Sequence, residues 1–159
     1  MNDLTHEFSD IIYHPIGIIR SGHTEKEQTP IQPVYSKGCR GSVEIFPEYA
    51  EGLKDLASFS HIYLLYNFHR ADRVSLLVKP FIEDTPRGIF STRHHDRPNP
   101  IGFSLVKLLK IENSILYLED IDILDGTPLL DIKPFIPRFD SINDASRGWT
   151  GSINEDTAI

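Results

Sequence analysis

The sequence predicts an all-β protein, mainly antiparallel, built as a barrel or a sandwich. Three observations point there. Short apolar runs rich in Val, Ile, Leu and Tyr recur along the chain, and Gly, Pro and Asn separate them. No G-x-G-x-x-G stands between a strand and a helix, which removes the usual doubly wound route to a nucleotide cofactor. The 159 residues, 40% hydrophobic and 25% charged, suit one globular domain with room for a core.

Taken in order, Ile11 to Ile19 mixes β-branched residues with Tyr13 and reads as a first strand, interrupted near Pro15. Ser21 to Pro33 is polar, carries two prolines and reads as a loop. Gly41 to Phe46 alternates as a half-buried strand does. Pro47 suits a first helical turn, so Glu48 to Leu56 is expected to be a short helix. Ile62 to Phe68 is almost uninterrupted apolar sequence, the pattern of a strand covered on both faces, and Val74 to Pro80 reads as another strand. Ile101 to Ile111 and Ile115 to Glu119 flank Glu112-Asn113-Ser114, a hairpin turn. Ile121 to Leu124 and Leu129 to Phe135 complete the set. Residues 1–140 form the β domain in this reading. Residues 141–159 are polar with Trp149 as their one aromatic residue, and read as a loose tail or an arm that docks on a partner subunit.

The net charge of -7 weighs against extensive duplex contact, because phosphate neutralisation drives polyanion binding. The charge is uneven, however. Between Pro86 and Lys110, Arg87, Arg93, Arg97, Lys107 and Lys110 oppose Asp96 alone, before His94 and His95 are counted. A single cysteine, Cys39, rules out an intramolecular disulfide framework and suits a reducing cytosol; it reads as a structural thiol. Met1 to Asp10 lacks the apolar run of a signal peptide, and no stretch reaches the length of a membrane span. A cytoplasmic protein with no membrane partner is expected.

Phe90 to Ser104 concentrates the chemistry. Two arginines and two histidines precede Pro98-Asn99-Pro100, whose prolines stiffen the backbone and remove two donors, leaving a rigid cationic loop suited to a ligand. Four segments, Ser60 to His69, Gly88 to Arg93, Arg97 to Gly102 and Leu124 to Pro134, occur in an order that resembles the TrmO family, from about Ile16 to Pro137. Members of that family use S-adenosylmethionine to methylate N6 of threonylcarbamoyladenosine, the modified base just 3′ of the tRNA anticodon. The resemblance implies a single small β-barrel with one or two short helices, working as a homodimer on the tRNA anticodon loop.

It also implies cofactor contacts at Pro30, Ile31 and Gln32, at His69 and Arg70, at Arg93 and Phe103, and in the turn Leu124, Asp125, Gly126 and Thr127. A basic residue is common in the family where Ile31 stands, and leucine where Phe103 stands. Arg93 can offer a bidentate donor to the cofactor carboxylate, Asp125 can accept from a hydroxyl or amino group, and Gly126 lets backbone approach a ligand. Asp125 and His69 are the candidate bases for the N6 proton. His94, His95 and Arg97 are candidates to hold an RNA phosphate or the threonyl carboxylate, and Asn99 to read a base edge.

Blander readings stand beside these. Asp125-Gly-Thr is also an ordinary β-turn, and His69 and His61 sit where strand-end histidines are commonly held by hydrogen bonds. His94-His95 has no third ligand at a recognisable spacing, so no metal is expected. Two rival functions remain open: a non-catalytic S-adenosylmethionine-binding regulator, favoured by the acidic charge, and a barrel that binds single-stranded nucleic acid without chemistry. The second calls for exposed aromatics interleaved with cations, of which the central loop offers Phe90 and Phe103.

Overall fold

Six strands close into a barrel in the order β1-β2-β7-β6-β3-β8, every neighbouring pair antiparallel. The computed structural model describes residues 10–25 and 36–153. The barrel strands are β1 (Gly17–Ser21), β2 (Arg40–Ile45), β3 (His61–Asn67), β6 (Ile101–Glu112), β7 (Ile115–Glu119) and β8 (Thr127–Pro134), while β4 (Leu77–Val78) and β5 (Arg87–Gly88) pair as a separate ribbon. Among the described residues, helical structure is limited to α1 (Pro137–Asp140) and short 3-10 turns, the longest at Pro47–Leu53, where Pro47 opens the first turn as expected. The all-β barrel implied by the resemblance is the observed fold.

Alternation makes the core. Inward-facing residues alternate along the barrel strands, so Ile19, Val43, Ile62, Leu64, Val106, Leu116, Leu118 and Leu129 meet inside with almost no solvent exposure. The outer side chains of β3 are half-buried rather than covered, which corrects the expectation of a strand buried on both faces: an apolar run in a small barrel has one dry face, and its other face is sheltered only by loops. The β6–β7 hairpin turns through Asn113 (φ 48°) and Ser114 (φ 64°), the left-handed pair of a tight hairpin loop. One extra residue between Leu108 and Lys110 bulges β6 and helps it curve round the barrel.

Three expected strands changed. The first begins only at Gly17, leaving Ile11 to Tyr13 exposed. Val74 to Pro80 shrinks to the two residues of β4, because this segment lies outside the barrel with only Val78 buried. Ile121 to Leu124 forms no strand at all. Asp120 turns the chain at φ 65°, its carboxylate accepts the Gly38 N–H at 2.7 Å, and Ile121 and Ile123 then plug one barrel end.

The register places the ends of β1, β3 and β7 and the starts of β2, β6 and β8 at that same plugged end. Loops 21–25, 68–100 and 120–127 therefore share one rim. Many of the side chains that the sequence reading singled out lie on these loops.

Candidate functional site

The turn between β7 and β8 is built by β1. Asp125 receives the Ser21 N–H on Oδ1 at 3.1 Å, and its own N–H bonds to the His23 carbonyl at 2.8 Å. Ser21 Oγ donates to the Ile123 carbonyl at 2.5 Å, and His23 Nε2 meets the Ile121 carbonyl at 2.9 Å. Gly126 adopts φ +77°, and nothing lies within 4 Å of where a Cβ would stand, so the backbone is open to a ligand there. Thr127 Oγ1 bonds the Leu124 carbonyl at 2.7 Å and His69 Nδ1 at 3.2 Å. These bonds join Leu124 to Thr127 with the end of β3, and Arg70 Nη1 reaches back to the Thr24 carbonyl at 3.2 Å. Burial and then the neighbouring Arg70 charge lower the pKa of His69, which favours the neutral ring that can accept a proton.

Arg93 lies over the Phe103 ring at 5.7 Å, and Phe103 stacks in turn on Tyr63 at 4.9 Å. Phe103 is 43% exposed and faces outward from β6, so the pair forms a cation-topped aromatic wall on the barrel's outside. Beneath the rim lies a polar trio that sequence reasoning missed. Asp122, only 8% exposed, accepts the Ser104 hydroxyl at 2.6 Å, and Ser104 Oγ also meets the Tyr66 hydroxyl at 2.9 Å. Burial pushes the Asp122 carboxyl up to about 6, against lowering contributions from Ser104, His23 and Arg93. Gly102 is required here because the Tyr66 ring lies directly on its backbone.

The rigid loop folds around its own charges. Arg97 Nη1 donates to the carbonyls of Ile89, Thr92 and His94 at 3.1, 2.8 and 3.4 Å, so Arg97 shapes the loop as well as charging it. His94 and His95 stack at 4.2 Å and flank the buried Asp96, whose Oδ1 lies 3.1 Å from His95 Nε2 and whose Oδ2 accepts Arg73 Nε at 2.6 Å. Burial raises the Asp96 carboxyl, yet Arg73 and the two histidines together hold it below the usual range. The three side chains place ligand atoms within 4.8 Å of one another. A spacing of this kind could hold a metal ion, so Asp96 supplies the third ligand that the sequence reading did not find, while Arg73 Nε bonds the same carboxylate. Asp96, adjacent to the histidines, is the partner that spacing rules overlook. Asn99 is exposed on the rim, while Pro30, Ile31 and Gln32 lie outside the described residues.

The donors and surfaces present fit S-adenosylmethionine. A guanidinium on an aromatic wall suits a carboxylate and a flat ring, the Asp125 carboxylate and Thr127 hydroxyl suit ribose or amino groups, and Gly126 leaves an open cradle.

Known proteins resemble this chain in sequence and fold. A probable S-adenosyl-L-methionine-binding protein of Pyrococcus abyssi is 52% identical over 87% of this chain and 76% of its own length. Human tRNA (adenine(37)-N6)-methyltransferase is 39% identical over 85% of this chain but only 32% of its own. A crystal structure of TrmO from Pseudomonas aeruginosa superposes with a TM-score of 0.76 at 41% identity, covering 93% of this chain and 65% of that one. The chain thus spans about three quarters of the archaeal relative, under two thirds of the bacterial one and a third of the human one. Residues 18–141 match the family described as the tRNA-methyltransferase O N-terminal domain, and the chain belongs to the TrmO family.

Proposed function

We propose that this protein is an S-adenosylmethionine-dependent tRNA methyltransferase acting on N6 of threonylcarbamoyladenosine beside the anticodon. The observation that carries the reading is the convergence of Arg93, Phe103, His69 and the Leu124 to Thr127 turn on one barrel rim, beside a rigid loop of arginines and histidines. Arg93 holds the cofactor carboxylate over Phe103, and His69, Arg70, Leu124, Asp125, Gly126 and Thr127 line the rest of the site. The bound cofactor supplies a methyl group already activated by its sulfonium.

What the protein must add is mainly position, which is worth several kcal/mol when donor and acceptor are well aligned, about 7 or more in favourable cases. His69 is the better placed base for the N6 proton. Its lowered pKa keeps the ring neutral, whereas Asp125 Oδ1 is already committed to the Ser21 N–H. His94, His95, Arg97 and Asn99 form the acceptor side and supply cations for the threonyl carboxylate. Residues 1–140 are the catalytic barrel. Residues 141–159 form an appendage, supported by Trp149, whose indole N–H donates to the Ser91 carbonyl at 2.8 Å. The protein works in the cytoplasm as a homodimer; exposed Ile11, Ile12, Tyr13 and Ile142 support a second copy as the cover for those side chains.

Tritium transfer from labelled cofactor to tRNA with and without the threonylcarbamoyl group tests this. Labelling of the modified tRNA alone is expected. Equal labelling of both refutes carboxylate recognition, and labelling of neither, in a protein that still binds cofactor, favours the regulator.

A further inference from the structure

Between β3 and β6 the chain leaves the barrel and carries, on the way, the most exposed aromatic rings among the described residues. Phe81 and Phe90 are 75% and 76% exposed, and neither joins the core. Both have one ring face toward a nitrogen-bearing side chain. Phe81 lies near-parallel to the His94 imidazole at 6.3 Å, and the Arg97 guanidinium sits 5.8 Å from the Phe90 centroid. Most of each ring's remaining surface is open to water. His94, the neighbour of Phe81, also lines a concavity of about 420 Å³ together with Arg73, Val74, Leu77, Lys79 and Asp96, within the size range of small-ligand sites.

Charge selects the partner. Residues 70–100 hold six Arg and Lys against four Asp and Glu, while the remainder of the chain holds ten against nineteen. The excursion is a cationic, aromatic surface on an acidic body. Val74, Leu76, Leu77 and Ile82 are exposed here as well, but aliphatic side chains offer no stacking plane; open rings beside His94 and Arg97 on a cationic surface are what unpaired bases use, stacking on the ring while phosphates follow the cations. We propose that Phe81 and Phe90 are stacking shelves for unpaired bases flanking the methylated adenosine, and that Lys79 lines the path of the connecting phosphates. This rests on the tRNA reading above and extends it to side chains outside the cofactor turn.

The test uses the full chain and an anticodon stem-loop RNA carrying threonylcarbamoyladenosine, with 2-aminopurine placed at either flanking nucleotide. Phe81→Ala and Phe90→Ala each raise the KM for RNA about tenfold, with cofactor affinity by calorimetry unchanged, and each abolishes the 2-aminopurine quenching at one of the two positions. Phe81→Trp and Phe90→Tyr keep the quenching. Lys79→Ala lowers the slope of log affinity against log salt by about one. A wild-type protein that methylates RNA while both alanine variants keep its KM overturns the shelves. So does a loss of self-association with RNA affinity unchanged, which assigns the rings to a second copy of the chain. A wild-type protein that neither binds nor methylates any tRNA overturns the underlying reading, and the shelves fall with it.

Discussion

Asp122 is a buried carboxyl group in the mouth of the barrel that accepts the Ser104 hydroxyl and a backbone N–H. Its pKa, raised to about 6 from 3.8, means that the folded state binds this proton more tightly than the unfolded state between about pH 4 and pH 6. Stability from this group is therefore complete below about pH 4, falls as pH rises through the window, and is flat above it, a loss of up to about 3 kcal/mol. Asp122→Asn keeps an acceptor for Ser104 and should remove that slope, leaving a variant more stable than wild type at pH 7 in urea titrations run across the window. Arg93 makes the opposite kind of case. Lysine cannot present a planar fork, so Arg93→Lys should weaken cofactor binding about tenfold or more in calorimetry with EDTA present, while a metal requirement would show as loss of all binding. Both residues were within reach of the sequence to different degrees. Arg93 stands in a motif, whereas Asp122 sits in Asp120-Ile-Asp122-Ile-Leu124, where alternation suggests a strand whose acidic residues face water.

At the scale of elements, that misreading has a plain cause. Ile121 to Leu124 has strand composition, but Asp120 in the left-handed region breaks the ladder before it starts, and no local pattern announces a non-glycine residue at φ 65°. Val74 to Pro80 failed differently: its residues favour a strand, yet a strand needs a partner, and the segment finds only two residues of β5. Hairpins were legible because the turn and both flanking runs are contiguous. The β6–β7 turn also leaves room for improvement. Ser114 at φ 64° carries a Cβ in a region that disfavours it, so Ser114→Gly, which completes an Asn-Gly turn, should raise the melting temperature, by about 0.5–1 kcal/mol of stability. The cationic loop responds to a different change. Sequence shows the charge of Arg97 but not where its donors go; with three carbonyls depending on Nη1, Arg97→Ala should abolish amide-exchange protection from Ile89 to Arg97 and leave β7 and β8 unaffected. Comparable loss of protection in the barrel strands would show that the loop and barrel open together.

For the molecule as a whole, closure of the barrel settles where ligands can bind. Small barrels fill their interior with side chains, and here the core runs from Ile19 to Leu129 with Ile121 and Ile123 closing one end, so chemistry is confined to the rim and the outer wall. The net charge of -7 then predicts a shallow salt dependence for tRNA turnover, since attraction comes from one cationic excursion on a body that repels phosphate. Turnover measured from low to physiological salt should fall with a slope set by a few phosphates; a slope near ten would require basic surface that this chain does not carry.

The docking of Trp149 gives the protein an internal optical gauge. It is the only tryptophan in the sequence, its indole N–H is tied to the Ser91 carbonyl, and the Arg87 guanidinium lies 5.1 Å over its ring. Any movement of Phe90 and its neighbours must be transmitted to that chromophore within one residue of its anchor. Emission colour and lifetime, recorded without any label, therefore follow the loop in real time: a red shift when the Ser91 contact opens to water, and a restored signal when the loop closes again. Stopped-flow traces of that signal can separate arrival of the nucleic acid from transfer of the methyl group, two events that a count of radioactive product merges into one.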